Sequence, residues 1–180
     1  MASEPTLENS DPNGLIEWTR KVYSNGKWNA APDIAHWRGN YYVVVNQGTF
    51  HPGLHGPGIV LRSSNLKEWE HIYTTTGPPA NGSAVDCKLL ALPDRLIFYY
   101  LYMHRLGEME PSLPLPKPDV RNYVETRAVY TEDGQSWSNS QRVYEPLYNF
   151  WKPKVHNGVI YMAGDTFNVG RTDYVTAAEE

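Results

Sequence analysis

An internal repeat runs through most of this 180-residue chain and narrows the architectures open to it. Its opening half reads Ala31-Pro32-Asp33-Ile34, then Arg38-Gly39-Asn40-Tyr41-Tyr42-Val43-Val44-Val45. It returns as Ala84-Val85-Asp86-Cys87, then Pro93-Asp94-Arg95-Leu96-Ile97-Phe98-Tyr99-Tyr100. A third copy reads Trp151-Lys152-Pro153-Lys154-Val155, then Asn157-Gly158-Val159-Ile160-Tyr161-Met162. The closing half is a polar turn ending in tryptophan: Ser63-Ser64-Asn65-Leu66-Lys67-Glu68-Trp69 and Thr131-Glu132-Asp133-Gly134-Gln135-Ser136-Trp137, with a looser copy in Ser10-Asp11-Pro12-Asn13-Gly14-Leu15-Ile16-Glu17-Trp18. Trp18 to Trp69 is 51 residues and Asp33 to Asp86 is 53, whereas Trp69 to Trp137 and Asp86 to Lys154 are both 68. Two independent markers stretch together, so one insertion explains the difference. Its seat is 107–119, where Pro111, Pro114, Pro116 and Pro118 forbid a regular ladder and favour an extended loop.

Apolar runs within each repeat are short, rich in β-branched and aromatic residues, and bounded by Gly, Pro, Asn or Asp, which predicts an almost all-β chain. Strands are expected at 33–37, 41–46, 59–63, 87–91, 96–103, 126–130, 154–155 and 160–164. Tight turns are expected at Arg38-Gly39-Asn40 and His156-Asn157-Gly158, where Gly or Asn can take positive φ. Four strands per roughly 50 residues, radially repeated, is the β-propeller pattern. The order of the half-motifs predicts an incomplete propeller of about two and a half blades of four-stranded antiparallel sheet. Residues 1–27 end a preceding blade, 28–80 and 81–146 are blades, and 147–180 begin another, with 170–175 as a further strand. Two and a half blades cannot close a ring of at least four, so a fragment is expected.

Composition narrows the partners. Sixteen Lys and Arg against 20 Asp and Glu give a net charge of −4, which excludes a basic nucleic-acid stripe as the leading idea. The 13 Tyr and 6 Trp against 4 Phe put a polar handle on most rings, suiting half-wet clefts. A single cysteine, Cys87, makes no intramolecular disulfide and no cysteine-based zinc site. The N-terminus lacks the basic and apolar regions of a signal peptide, and no run approaches the roughly 18 apolar residues of a membrane span, so no membrane partner is expected and the compartment is left open. No cofactor or metal is expected, and the oligomeric state is open.

Chemistry should gather where inner strands face a common funnel. The entrance residues there are Asp33, Asp86 and Lys154, and carboxylates converging from neighbouring blades are what glycoside hydrolysis requires. A plain alternative is that Asp33, after Pro32, caps a strand start. Glu145, before Pro146, is a reserve general acid. Glu125 and Arg127 alternate on one strand and favour a cross-strand surface pair over catalysis. His51 and His55 flank a Gly- and Pro-rich loop and are expected to be solvated. Trp69 and Trp137 belong to the closing turns, buried between blade edges. Trp28 and Trp151 stand on the funnel side, either stacking on a sugar ring or packing beneath a loop.

Ala31-Pro32-Asp33-Ile34 with Gly39-Asn40-Tyr41-Tyr42 resembles the Trp-Ala-Pro-Asp segment of the five-bladed arabinanase and xylosidase class of glycoside hydrolases (family 43), and Ala84-Val85-Asp86 is similar to that class's Ala-Ile-Asp-Pro segment. The resemblance implies that Asp86 tunes and orients a general acid and that Asp33 shapes the active-site end of its blade. The turn ending at Trp137 resembles the Asp-box of sialidases and related propellers, with one residue fewer between the hydroxyl and Asp133. Departures accompany the likeness. The class's general-base aspartate would lie in an earlier blade, and Trp151 stands where its general-acid glutamate would be. A sialidase needs three arginines to clamp a carboxylate, and Lys154 holds the position that one of them might have taken. The expectation is a carbohydrate-active propeller, a glycoside hydrolase with Asp86, Asp33 and Glu145 as acids and Trp28, Trp151 and Lys154 as the sugar-contacting rim. A carboxylate separation of about 5–5.5 Å would imply retention and about 6.5–9.5 Å inversion; the arabinanase class implies inversion. The alternative is a non-catalytic propeller binding a glycan or a protein. A third outcome is a chain that folds poorly alone because open blade edges invite association.

Overall fold

The computed structural model describes residues 19–48, 56–75, 83–105 and 122–166. The first closing turn at Ser10 to Trp18, the His51 and His55 loop, the proline-rich insertion and the strand expected at 170–175 lie outside the described residues.

The first sheet is an antiparallel meander of β1 (Trp28–Trp37), β2 (Asn40–Gly48), β3 (Gly58–Ser63) and β4 (Glu70–Thr74). The second repeats it as β5 (Ser83–Ala91), β6 (Leu96–Arg105), β7 (Asn122–Thr131) and β8 (Gln141–Arg142). Four shorter strands follow: β9 (Tyr148–Phe150), β10 (Lys154–His156), β11 (Val159–Tyr161) and β12 (Gly164–Thr166). β9 pairs with β12 and β10 with β11, so the two form the inner hairpin of a third unit with a break in each strand. The single strand expected at 160–164 is therefore split at Met162 and Ala163. β4, β8 and β9 were not legible as strands: β4 and β8 are short and half-exposed or exposed, and β9 is buried but only three residues long, so none carries a periodic signal.

Both faces of the inner sheets are covered, which is why β2 and β6 read as continuous apolar runs rather than alternating ones. Tyr42 and Val44 face the second sheet, packing with Leu89, Phe98, Tyr100 and Val129 in one buried cluster. Val43 and Val45 turn the other way, onto Ile59, Leu61, Tyr23 and Trp69. The far side of β6 packs through Tyr99 onto Phe150 and Met162 of the third unit. Gly58 lets β3 approach the second sheet: a Cβ there would meet Phe98 at 2.8 Å.

The hairpin between β1 and β2 places Arg38 at φ 47° and Gly39 at φ 77°, and that between β10 and β11 places Asn157 at 51° and Gly158 at 80°. Two consecutive positive φ values match the right-handed twist of the flanking strands. In the first hairpin Arg38 takes the position expected of Asn40, and Asn40 instead opens β2 opposite Trp37.

The tryptophan turns connect the third strand to the fourth. Asp133 Oδ1 accepts the backbone N–H groups of Gln135 and Ser136 at 2.8 Å each, and Thr131 Oγ1 donates to it at 3.0 Å. Asn65 Oδ1 takes the equivalent N–H groups of Lys67 and Glu68 at 2.8 and 3.0 Å. Those backbone bonds favour the charged form and hold the Asp133 carboxyl far below the usual carboxylate range. The second turn also locks the two sheets together. Arg62 donates to Gly134 O at 3.2 Å, Arg38 donates to Glu132 O, and Trp137 stacks on Tyr73 at 4.8 Å.

Candidate functional site

Both complete inner strands carry a β-bulge at the same place. In β1 the register slips between Ala30 and Asp33, and in β5 between Val85 and Lys88. The bulged pairs are thus Ala31-Pro32 and Asp86-Cys87, with Ala31 at φ 45° and Asp86 at φ 50°. Left-handed backbone at a non-glycine residue costs about 1–3 kcal/mol and concentrates at functional sites, as bulges do.

This register corrects the alignment of the two aspartates. Asp86 shares its position with Ala31, and the counterpart of Asp33 is Lys88: each is the first paired residue after its bulge, opposite Val44 and Tyr99 respectively. Neither aspartate marks a strand entrance. Asp33 lies inside β1 and Asp86 inside β5.

The inner strands converge on these residues. Asp33 Oδ2 accepts the backbone N–H of Leu89 from β5 at 2.8 Å, Oδ1 accepts the N–H of Ile34 at 2.9 Å, and both oxygens meet Lys152 Nζ from the third unit. The carboxylate therefore satisfies an inner-edge donor of the neighbouring sheet instead of merely capping its own strand.

Lys88 is the centre of the cluster and was not singled out in the sequence. Its side chain is buried, with 6% of the residue exposed. Nζ lies 3.5 Å from Asn149 Oδ1 and 4.9 Å from the centroid of the Trp151 ring. Burial pushes its pKa down, opposed by the negative charges of Asp86, Asp165 and Asp33. One cue was available: a lysine within Val85-Asp86-Cys87-Lys88-Leu89-Leu90, an otherwise core-like run. Cys87 beside it is buried, and desolvation raises its thiol far above the ordinary value, which leaves it inert.

Trp151 sits in the break between β9 and β10, 44% exposed. Its Nε1 donates to Asp165 Oδ1 at 3.2 Å and its backbone N–H to Ala163 O at 2.7 Å. Asp165 is paired across the strands with Asn149, so Asn149 and Trp151 of the third unit meet the Lys88 ammonium while Asp165 and Asp86 act on it through their charge. Trp28 is also 44% exposed, at the start of β1. Lys154 is exposed at the start of β10, and Glu145 is exposed in the turn between β8 and β9.

Glu125 and Arg127 do pair, along β7 and not across strands, and the pair is not a surface one. Glu125 is 5% exposed, Arg142 approaches it at 3.8 Å, and Arg127 continues to Ser140 at 2.8 Å. A cavity of about 470 Å³ beside β1 touches Asp33 but is otherwise walled by groups such as Val22, Tyr23, Ile34 and Val45. Among the described residues no group of three or more His, Cys, Asp or Glu is arranged to hold a metal ion.

No family model and no curated protein matches this sequence. Solved structures do. Trypanosoma rangeli sialidase in complex with the inhibitor DANA aligns at 10% identity with a TM-score of 0.55, over 86% of this chain and 31% of that one. A mutant of the same sialidase displaying trans-sialidase activity aligns at 11% and 0.54, over 97% and 32%. The fold is that of a β-propeller. A Bombyx mori GH32 beta-fructofuranosidase aligns at 15% identity with a TM-score of 0.47, over 83% of this chain and 33% of that one. The chain spans about a third of the length of these neighbours, and its described residues form two four-stranded blades and part of a third.

Proposed function

We propose that this chain belongs to a carbohydrate-active β-propeller of the glycoside hydrolase type, with the end of a preceding blade at 1–27, blades at 28–80 and 81–146, and a partial blade at 147–180. One observation carries the proposal: a half-exposed tryptophan, Trp151, is fixed by Asp165 at the point where inner strands bring Asp86, Lys88 and Asp33 together. An aromatic face beside a few convergent polar groups is the chemistry of a sugar site. The sialidase solved with the inhibitor DANA supports the same class at the level of the fold.

In this proposal Asp86, in its left-handed bulge, is the supporting catalytic carboxylate, and Glu145 is the reserve general acid. Asp33 is the second acidic wall, since its oxygens already accept three donors. Trp28, Trp151 and Lys154 form the sugar-contacting rim. That same engagement of Asp33 favours the second reading, a propeller that binds glycans without cleaving them.

A panel of nitrophenyl glycosides that includes a sialoside and an arabinoside separates the two. Hydrolysis that falls at least 100-fold in Asp86→Asn supports the enzyme. Glycan retention without turnover supports the binder, and neither response removes carbohydrate from the account.

A further inference from the structure

We infer that Lys88 is the positioning residue of Trp151, holding one side of the indole so that its other face stays open as a stacking platform. This rests on the carbohydrate reading for what the platform receives: the apolar face of a sugar ring. The positioning itself rests on geometry.

Two contacts fix the ring and a third fixes its backbone. The Lys88 ammonium stands 4.9 Å from the ring centroid, Asp165 takes the indole N–H at 3.2 Å, and the Trp151 backbone is bonded to Ala163 at 2.7 Å. Lys88 is 6% exposed and Trp151 44% exposed, so the ammonium meets the indole from the protein's interior while the tryptophan keeps contact with solvent. Lys88 is held in turn, by Asn149 Oδ1 at 3.5 Å and by the charges of Asp86, Asp165 and Asp33. A cation against an indole face is attracted by the ring quadrupole, and more strongly where water is excluded. Asn149 is 1% exposed, and its Nδ2 has no hydrogen-bond partner among the described residues. Turning that amide over would aim NH2 at the ammonium, so its orientation follows from Lys88 and leaves one buried donor free beside the platform.

The bulge explains why a lysine can do this. Lys88 is the first residue paired after the slip, at the position that Asp33 holds in the first blade, and both side chains reach from an inner strand to the third unit. Asp33 takes Lys152 and Lys88 takes Trp151, so consecutive blades present opposite charges to two neighbouring residues of one strand break.

The test labels the full chain with 5-fluorotryptophan and assigns the Trp151 fluorine resonance by its absence in Trp151→Phe. Lys88→Met keeps the length and apolar stem but removes the charge; Lys88→Arg keeps the charge. The expected result is a Trp151 resonance broadened or split by ring motion in Lys88→Met and a single sharp one in Lys88→Arg, with the other resonances unmoved as proof of folding. A single sharp resonance in Lys88→Met overturns the inference. Titration with arabinotriose and with sialyllactose then reads the platform: half-saturation should rise at least tenfold in Lys88→Met for the sugar that shifts the wild-type resonance. If neither sugar moves it, the carbohydrate reading fails, while the line shape still decides the role of Lys88.

Discussion

The Asp33 carboxylate and the Lys152 ammonium, 119 positions apart in the chain, meet directly and tie the first inner strand to the third unit. The same carboxylate caps Leu89 N–H at 2.8 Å, so one side chain joins all three. Removing it leaves a backbone donor of β5 without its acceptor, and an unsatisfied buried donor costs about 1–3 kcal/mol. Asp33→Ala is expected to lower stability by about 2 kcal/mol in urea unfolding. Lys152 is 47% exposed in its side chain, so Lys152→Ala should cost less than about 1 kcal/mol.

The Asp133 carboxyl is held below its unfolded value by the turn's N–H groups. A depressed carboxyl contributes stability above about pH 4, and the contribution is lost as pH falls toward its folded value. Asp133→Asn, which copies Asn65 of the first turn, should keep the turn at pH 7. It should also show a smaller loss of thermal midpoint between pH 5 and pH 2 than the wild type. Asp133→Ala should lower the midpoint already at pH 7.

Gly134 combines φ 75° with a blocked Cβ position, 2.6 Å from the buried Tyr42 hydroxyl. Gly134→Ala should therefore cost about 1–3 kcal/mol, from backbone strain plus overpacking between blades. Adding Tyr42→Phe removes the obstructing oxygen and should recover part of the loss in the double variant, measured by the same unfolding midpoints.

Lys88 has the opposite sign to a carboxylate that gains partners. Its pKa is lowered in the fold, so the unfolded chain binds more protons through the alkaline range and stability rises with pH there. The groups around it are Asp86 and Cys87 on β5, Asp33 of β1 with its partner Lys152, and Asp165 of β12. Relative to Lys88→Met, the wild type should gain thermal midpoint as pH rises toward the ordinary lysine value of about 10.4.

What the sequence showed, and what it hid, follow from the same geometry. The repeat, the all-β class and both tight hairpins are local properties of spacing and turn chemistry, visible in runs such as Tyr41-Tyr42-Val43-Val44-Val45. The bulge is not. Ala31-Pro32-Asp33 and Ala84-Val85-Asp86 match in spelling, yet the slip in each strand sets Asp86 against Ala31 and Lys88 against Asp33. One extra residue on a strand leaves no mark in composition and changes every pairing after it. Asn149 and Asp165 were hidden for another reason. Asn149 meets Lys88 through the packing of separate units, Asp165 meets Trp151 across the break of its own hairpin, and both sit in three-residue strands too short to show a period.

The central claim is a sugar site at Trp151, and glycan-array retention of the full chain beside its Trp151→Ala variant tests it most directly. The account predicts selective retention on one class of glycan, reduced at least tenfold in Trp151→Ala with the thermal midpoint preserved. Retention on no glycan, or equal retention by both proteins, would contradict it.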